Sequence, residues 1–319
     1  MNGVKVSLVS TLLQEGQGIA EFLESIRLQT RRPDEVILTD GGSTDGTVDI
    51  IRGYETELPL QLIVLPGCNR SQGRNAAIKR ATGDVIAVTD AGCRLAPAWL
   101  EKITAPIQRG ASVVAGYYEA DARSLMERAV AAATIPLVRE VKPDVFLPSS
   151  RSLAFRKEAW EKVGGYPENL RHNEDTAFAT GLRNTGGAFV FQPDAVVYWR
   201  PRHGLGSLFV QFYRYAVGDG ECGFWFPHYA KAYLVGTVFV ALAAVGAVQW
   251  EAWLVLGMLA LLYCMRYAVR SRRRGAGYIA SVLSVPAMIT VDIAHLFGYP
   301  FGRLRDTYNR VRDIFARGQ

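Results

Sequence analysis

Short apolar runs alternate with segments whose apolar residues recur every three or four positions, and this rhythm governs the first part of the chain. VSLVS at 6–10 predicts a strand, followed by a helix carrying Ile19, Phe22, Leu23 and Ile26 that closes before Arg32-Pro33. EVILTD at 35–40 is a second strand; it ends in the Gly-rich turn GGSTDGT and a short helix around Val48, Ile50 and Ile51. A third strand covers 60–65, and Ser71 reads as the N-cap of a helix through Ala77 and Ile78 that stops at Gly83. VIAV at 85–88 reads as a strand buried on both faces, which delivers Asp90 to the carboxyl edge of a sheet. Pro97 then opens a helix with Trp99 and Leu100. Strands and helices alternating at this pace predict right-handed βαβ units and a mostly parallel sheet with flanking helices, with Asp40 and Asp90 at one edge.

Beyond Val113-Val114-Ala115 the alternation loosens. Residues 125–141 read as an Ala-rich helical passage, Leu153-Ala154-Phe155 as a short strand, and a helix runs from Lys157 to Gly164-Gly165. Asn173 reads as the N-cap of a helix that opens with Glu174-Asp175, buries Phe178 and Leu182, and stops at Gly186-Gly187.

From Gly204 the pattern changes character. Leu208, Phe209, Phe212, Tyr213 and Tyr215 form a bulky aromatic face beside Arg214, which suits a helix lying in the headgroup layer. Two runs that are apolar all round, 232–248 and 252–269, each approach the roughly 20 residues that cross a bilayer core. Trp250 and Trp253 lie between them; that linker lacks Lys and Arg, whereas Arg270, Arg272, Arg273 and Arg274 follow the second run. The basic cluster and the amino-terminal domain are therefore expected on the cytoplasmic side. The last apolar stretch, 278–297, contains Pro286, Asp292 and His295, and a simple crossing would place Arg303, Arg305, Arg310, Arg312 and Arg317 outside. It reads as a broken or re-entrant segment or as a third crossing, with Asp292 and His295 paired. The expected divisions are a cytoplasmic catalytic domain at 1–203, interfacial helices at 204–231, a membrane region at 232–299 and a basic tail at 300–319.

Composition narrows the function. The 319 residues are 49% hydrophobic with a net charge of +6, and the excess Arg gathers among the apolar segments, which suits an anionic membrane surface. No interleaving of aromatic and basic residues marks a nucleic-acid module. Cys68, Cys93, Cys222 and Cys264 form no CxxC pair, so neither a zinc site nor a disulfide framework is indicated, and the opening MNGVK does not read as a secretory signal. The expected location is a cell inner membrane or its equivalent, in a multi-pass arrangement.

Three acidic sites carry the candidate chemistry. Asp40 and Asp90 flank the crevice of a nucleotide-type sheet, and Glu174-Asp175 opens a helix; each alone also fits an ordinary turn or helix start. Their combination carries more. The segments VSTLLQEGQGIAEFLESIRLQT, DEVILTDGGSTDGT, GRNAAIKRATGDVIAVTDAG and GGYPENLRHNEDTAFATGLRNTG, in this order over 5–202, resemble the family 2 glycosyltransferases of the GT-A fold. QFYRY at 211–215 resembles the QxxRW element of membrane-associated members, with Tyr in place of Trp.

The resemblance implies a Rossmann-like GT-A domain that moves a sugar from a nucleotide-diphosphate donor, with inversion, to a membrane-held acceptor. That acceptor would be a polyprenyl phosphate or a polyprenyl-diphosphate-linked saccharide, another glycolipid or a polysaccharide. Thr11, Leu13 and Glu15 would lie along the donor base, Asp40 beside the nucleoside, Arg74 and Asn75 near the ribose or diphosphate, and Asp90 with Ala91 at the ribose or metal. Asp175, with Glu174 beside it, matches the general base; Gln211 and Arg214 would close over the leaving diphosphate. Ser150 and Arg151, with Arg200 and Arg202, are candidates for the acceptor phosphate, and His172 for a further phosphate or metal contact. Gly41 replaces a second Asp after Asp40, and Gly92 replaces the Asp that ends the DxD motif, which leaves the base preference and the Mg²⁺ or Mn²⁺ at Asp90 open. A catalytically inactive membrane scaffold and a membrane nucleotidyltransferase are the rival readings.

Overall fold

The computed structural model describes residues 4–317, with side chains as far as 308. The first three residues, part of the leader reading, lie outside the described residues, as do the end of the tail at 318–319 and the side chains of Arg310, Arg312 and Arg317. The chain forms two compact units, Met1–Asp121 with Leu137–Arg200, and Ala122–Pro136 with Pro201–Gln319.

The elements run β1 (Val6–Leu12), α1 (Gly18–Arg27), β2 (Glu35–Asp40), α2 (Thr47–Gly53), β3 (Leu60–Val64), α3 (Arg70–Arg80), β4 (Val85–Val88), β5 (Cys93–Leu95), α4 (Trp99–Gln108) and β6 (Val113–Ala120). After α5 (Leu125–Thr134) come two short 3₁₀ turns, β7 (Leu153–Arg156), α6 (Lys157–Lys162), α7 (Glu174–Asn184) and β8 (Phe189–Trp199). Four helices follow: α8 (Leu205–Cys222), α9 (Phe226–Gly246), α10 (Glu251–Arg273) and α11 (Tyr278–Arg317).

The first unit is built on one sheet in the order β3-β2-β1-β4-β7-β6-β8-β5. Strands β1 to β4 pair in parallel, as the alternation predicts, while β7 runs antiparallel to both β4 and β6, and β5 antiparallel to β8. Strand periodicity sorts the side chains to two faces. Leu8, Val36, Leu38, Val85 and Ala87 meet Phe22, Ile26, Trp99 and Ile103 of α1 and α4; Val9, Ile37, Ile86 and Val88 meet Ile78, Trp160, Phe178 and Leu182 of α3, α6 and α7. Both faces are thus covered, and the carboxyl edge stays free for loops. The pairing of Leu12 with Asp40 and of Val9 with Val88 brings the β1, β2 and β4 loops to that one edge.

The structure corrects several local expectations. The N-cap of α3 is Asn69, not Ser71: Asn69 Oδ1 accepts from the Gln72 N–H and the Gln72 side chain bonds back to the Asn69 N–H, a reciprocal pair that a buried Ser71 does not offer. The passage at 125–141 is helical only to Thr134, because Pro136 disfavours helical geometry at the residue before it. Residues 122–136, assigned by sequence to the first domain, group with the second unit: Val130 and Ala133 pack with Leu208, Ala287, Met288 and Val291.

In the second unit, α11 is one helix from Tyr278 to Arg317 and is not broken at Pro286. An interior proline costs about 3 kcal/mol or more through its lost hydrogen bond and ring clash, but Ala287, Met288 and Val291 immediately after it are buried against α5 and α8. Farther along, Gly298 and Gly302 let α11 approach α8 so closely that a side chain at either would collide with Ala216, Tyr213 or Val217. Asp292 and His295 do not pair: Asp292 accepts from the Tyr263 and Tyr267 hydroxyls, and His295 packs among Phe212, His228 and Tyr229. Among the described residues three helices are long and apolar enough to cross a membrane, Phe226–Gly246, Glu251–Arg273 and Tyr278–Tyr308.

Candidate active site

At the carboxyl edge of the sheet, the β1–α1 and β2–α2 loops are laced together. Gln14 takes a left-handed backbone, its N–H donates to Ser43 Oγ at 2.8 Å, and its amide exchanges bonds with Thr44; two residues on, the Gly16 N–H donates to Thr47 Oγ1 at 2.9 Å. Glu15, between these anchors, has a fixed backbone and a partly buried side chain that accepts no protein hydrogen bond among the described residues. Burial raises its pKa, and the charges of Asp90 and then Asp45 push the same way. Leu13 stands 54% exposed beside it. Thr11 is partly buried and its hydroxyl is turned to the Thr39 carbonyl.

Asp40 is fully buried. Its carboxylate accepts from the Gly42 and Ser43 N–H groups and from Ser43 Oγ at 2.5–2.9 Å, so it shapes the Gly-rich turn and is not presented to a nucleoside as expected. At Gly41 a Cβ would meet nothing nearer than 3.6 Å, so the missing carboxylate is a chemical choice and not a steric one.

Arg74 is the hub of the site. It is 2% exposed; Nη2 donates to Asp90 Oδ1 at 2.8 Å, Nη1 donates to Glu174 Oε1 at 2.9 Å, and the guanidinium lies 5.3 Å from the centre of the Tyr166 ring. The helix that carries it closes on β1 because Gly73 has no side chain; a Cβ there would strike Thr11. Burial works to raise Asp90, but Arg74, with Arg151 and Arg70 farther off, holds its carboxyl below the usual range. The Asp90 side chain keeps about a third of its surface exposed (34%), and Oδ1 alone is spent on Arg74.

Glu174 is 5% exposed and faces Arg74, so it is a positioning residue and not a group that can meet a substrate. Asp175, the next residue, remains partly exposed. Burial raises its pKa, reinforced by Glu174 and Asp90 against the pull of Arg74 and Arg151. A carboxylate with raised proton affinity, at an edge that also carries Arg74 and Arg151, is suited to take a proton from a hydroxyl. Asn173 before it adopts a left-handed backbone and starts the helix through its carbonyl, not through a side-chain cap.

Several expected contacts turn inward. Asn75 spends its amide on Tyr166 O, Glu168 Oε1, Trp160 Nε1 and the Tyr166 N–H, which pins the 165–168 loop and leaves nothing for a ribose or diphosphate. Ser150 is buried against the Tyr166 hydroxyl at 3.0 Å and is not available to an acceptor. Ala91 turns its methyl into the core, leaving a donor its backbone alone. Arg151 does stand at the site: its guanidinium lies 4.4 Å from the Trp199 ring centre and 5.2 Å from that of Tyr118, and its charge acts on both Asp90 and Asp175. Arg200 is exposed just after β8, and His172 is partly buried just ahead of α7. In the second unit, Gln211 of α8 accepts from Arg202 Nε at 3.0 Å and donates to Tyr215 at 2.9 Å, and Arg214 lies on the same helix.

Tyr166 and Arg70 were not legible as site residues. Tyr166 is fully buried, stacked on Phe178, and held protonated by burial; the aromatic after Gly164-Gly165 was its only signal. Arg70 begins α3 and acts on both Glu15 and Asp90.

Among the described residues no three His, Cys, Asp or Glu side chains gather to hold a metal unaided. The oxygens that are present, the free one of Asp90 with Glu15 nearby, nonetheless suit Mg²⁺ or Mn²⁺, hard cations that bind through one or two carboxylates plus a nucleotide's phosphates.

Residues 7–164 match the family model described as Glycosyl transferase family 2. Glycosyltransferase AglE of Haloferax volcanii is 26% identical over 231 residues, 69% of this chain and 74% of its own; succinoglycan biosynthesis protein ExoA of Rhizobium meliloti is 28% identical over 302 residues, 87% and 90%. In fold, the chain is similar to the mannosyltransferase PcManGT from Pyrobaculum calidifontis in complex with GDP-Man and Mn²⁺, with a TM-score of 0.65 and 20% identity over 92% of this chain and 87% of that one. It is also similar to S. aureus TarS 1-349 in complex with UDP-GlcNAc, at 0.55 and 16% over 89% and 91%. The parallel strands, the acidic edge and the motif order agree with the family match: residues 7–164 are a glycosyl transferase family 2 segment.

Proposed function

We propose that this glycosyltransferase moves a hexosyl group, with inversion, from a nucleoside-diphosphate sugar to the hydroxyl or phosphate of a membrane-held acceptor, a polyprenyl phosphate or a polyprenyl-diphosphate-linked saccharide. The observation that carries this reading is the Arg74 bridge, which gathers Asp90 and the start of α7 at one edge of the sheet. The nucleotide-sugar complexes of PcManGT and TarS support the donor class, and the apolar helices support a membrane acceptor and a multi-pass location. Leu13 offers an exposed apolar contact to the base, and Arg70 and Arg151 offer charge to phosphates.

With an alcohol acceptor, Asp175 takes the proton as the acceptor oxygen attacks the anomeric carbon. The bond from that carbon to the diphosphate oxygen breaks on the opposite face, and the nucleoside diphosphate leaves with the electron pair. A phosphate acceptor arrives already anionic and needs less of that help. A divalent cation at Asp90 and the donor phosphates would neutralise charge on the leaving group. Arg74 holds Asp90 and Glu174 in place throughout.

Asp175→Asn should bind donor normally and lose about 10²–10⁴-fold in turnover. The measurement is nucleoside-diphosphate release from a panel of UDP-, GDP- and dTDP-sugars with membrane lipid extract. Undiminished turnover of every active donor would refute the base assignment; pyrophosphate as product would favour nucleotidyl transfer.

A further inference from the structure

The DxD position that Gly92 leaves without a side chain is open. A Cβ built there meets one side-chain atom within 4 Å, Glu15 Oε2 at 3.8 Å, and nothing else. Glu15 reaches this point from a different loop, and its approach is fixed: the residues on either side of it, Gln14 and Gly16, are both hydrogen-bonded to the β2–α2 loop. Neither Glu15 oxygen has a protein hydrogen-bond donor among the described residues, and Asp90 gives Arg74 one oxygen, leaving the other uncommitted. Arg70 acts on both carboxylates but forms no ion pair with either among the described residues. Arg74 pairs with one oxygen of Asp90 only, and Glu15 has no ion pair among the described residues, so these two neighbouring carboxylates carry more negative charge than one guanidinium offsets and favour a shared cation.

Resting on the donor reading above, we infer that Glu15 supplies the carboxylate that Gly92 lacks, so that Asp90 and Glu15 together hold the divalent cation that accompanies the donor diphosphate. The pair is spatially equivalent to a DxD whose second acid has moved from the loop after β4 to the loop after β1. Glu15 is thereby assigned to the cation and not to the donor base.

Mn²⁺ binding to the full chain, followed by its electron paramagnetic resonance signal in the presence of UDP or GDP, tests this without requiring turnover. Because even outer partners of metal ligands change affinity by about 10–100-fold, Glu15→Gln should weaken Mn²⁺ by at least about tenfold. Gly92→Asp added to Glu15→Gln should restore it, since the position has room for a side chain. Unchanged affinity in Glu15→Gln overturns the assignment, as does a loss that Gly92→Asp fails to recover, which would trace the effect to the laced loops. Absence of Mn²⁺ binding by the wild type with either nucleotide overturns it too, while sugar transfer in chelator would leave the transferase reading standing.

Discussion

Glu174 and Asp175 are adjacent in the chain and opposite in circumstance. One is buried and bonded to Arg74; the other is partly exposed with a raised pKa. In the proposed role of base, Asp175 accepts a proton only when ionised, so activity should rise with pH through that raised value. The charges facing it are Glu174, Asp90, Arg74 and Arg151. Glu174→Gln removes one negative neighbour and leaves Arg74 less occupied, both of which favour the ionised form. The acid limb of kcat/KM should therefore move to lower pH, with the donor KM little altered; a limb that stays or moves upward contradicts the arrangement. The sequence exposed this acidic pair but not which member faces inward, because helix-start chemistry treats both alike. The same blindness to direction applies to Asn75 and Ser150, polar residues whose side chains are consumed by the Tyr166 loop.

Among the elements, α3 determines the site by its distance from β1. Gly73 reads as a weak helix residue, yet its missing side chain is what lets the helix lie against Thr11 and bring Arg74 to Asp90. Gly73→Ala should overpack this contact and destabilise the first unit by about 1–3 kcal/mol, seen as a lowered unfolding midpoint with donor affinity reduced in parallel. An unchanged midpoint would show that α3 has slack. The strands up to β4 were legible because four-residue apolar runs alternate with helical spacing. β8 was not: it is half-buried, contains Pro193, and slips register opposite Gly116, where a side chain would collide with Ser152. Such a strand is defined by its neighbours more than by its own pattern.

For the molecule as a whole, the charge flanking the apolar helices sets an expected orientation. Gln249 lies in the linker without Lys or Arg, and Arg272 in the basic end of α10. In a variant lacking the four native cysteines, Gln249→Cys should react with an impermeant maleimide added outside intact cells, and Arg272→Cys only after permeabilisation; the reverse pattern would refute a cytoplasmic site. Helix length and apolarity were readable in the sequence, whereas continuity through Pro286 was not, since the buried contacts that sustain α11 come from α5, far away in the chain.

The shared guanidinium of Arg74 has an evolutionary and engineering corollary. Altering Asp90 to admit a different sugar nucleotide would release half of that cation's grip and let it lean towards α7, changing how readily Asp175 gives up its proton. On the proposed roles, selectivity for one substrate and reactivity towards the other would be wired to the same side chain, so lineages that diversify the first should carry compensating changes in the second.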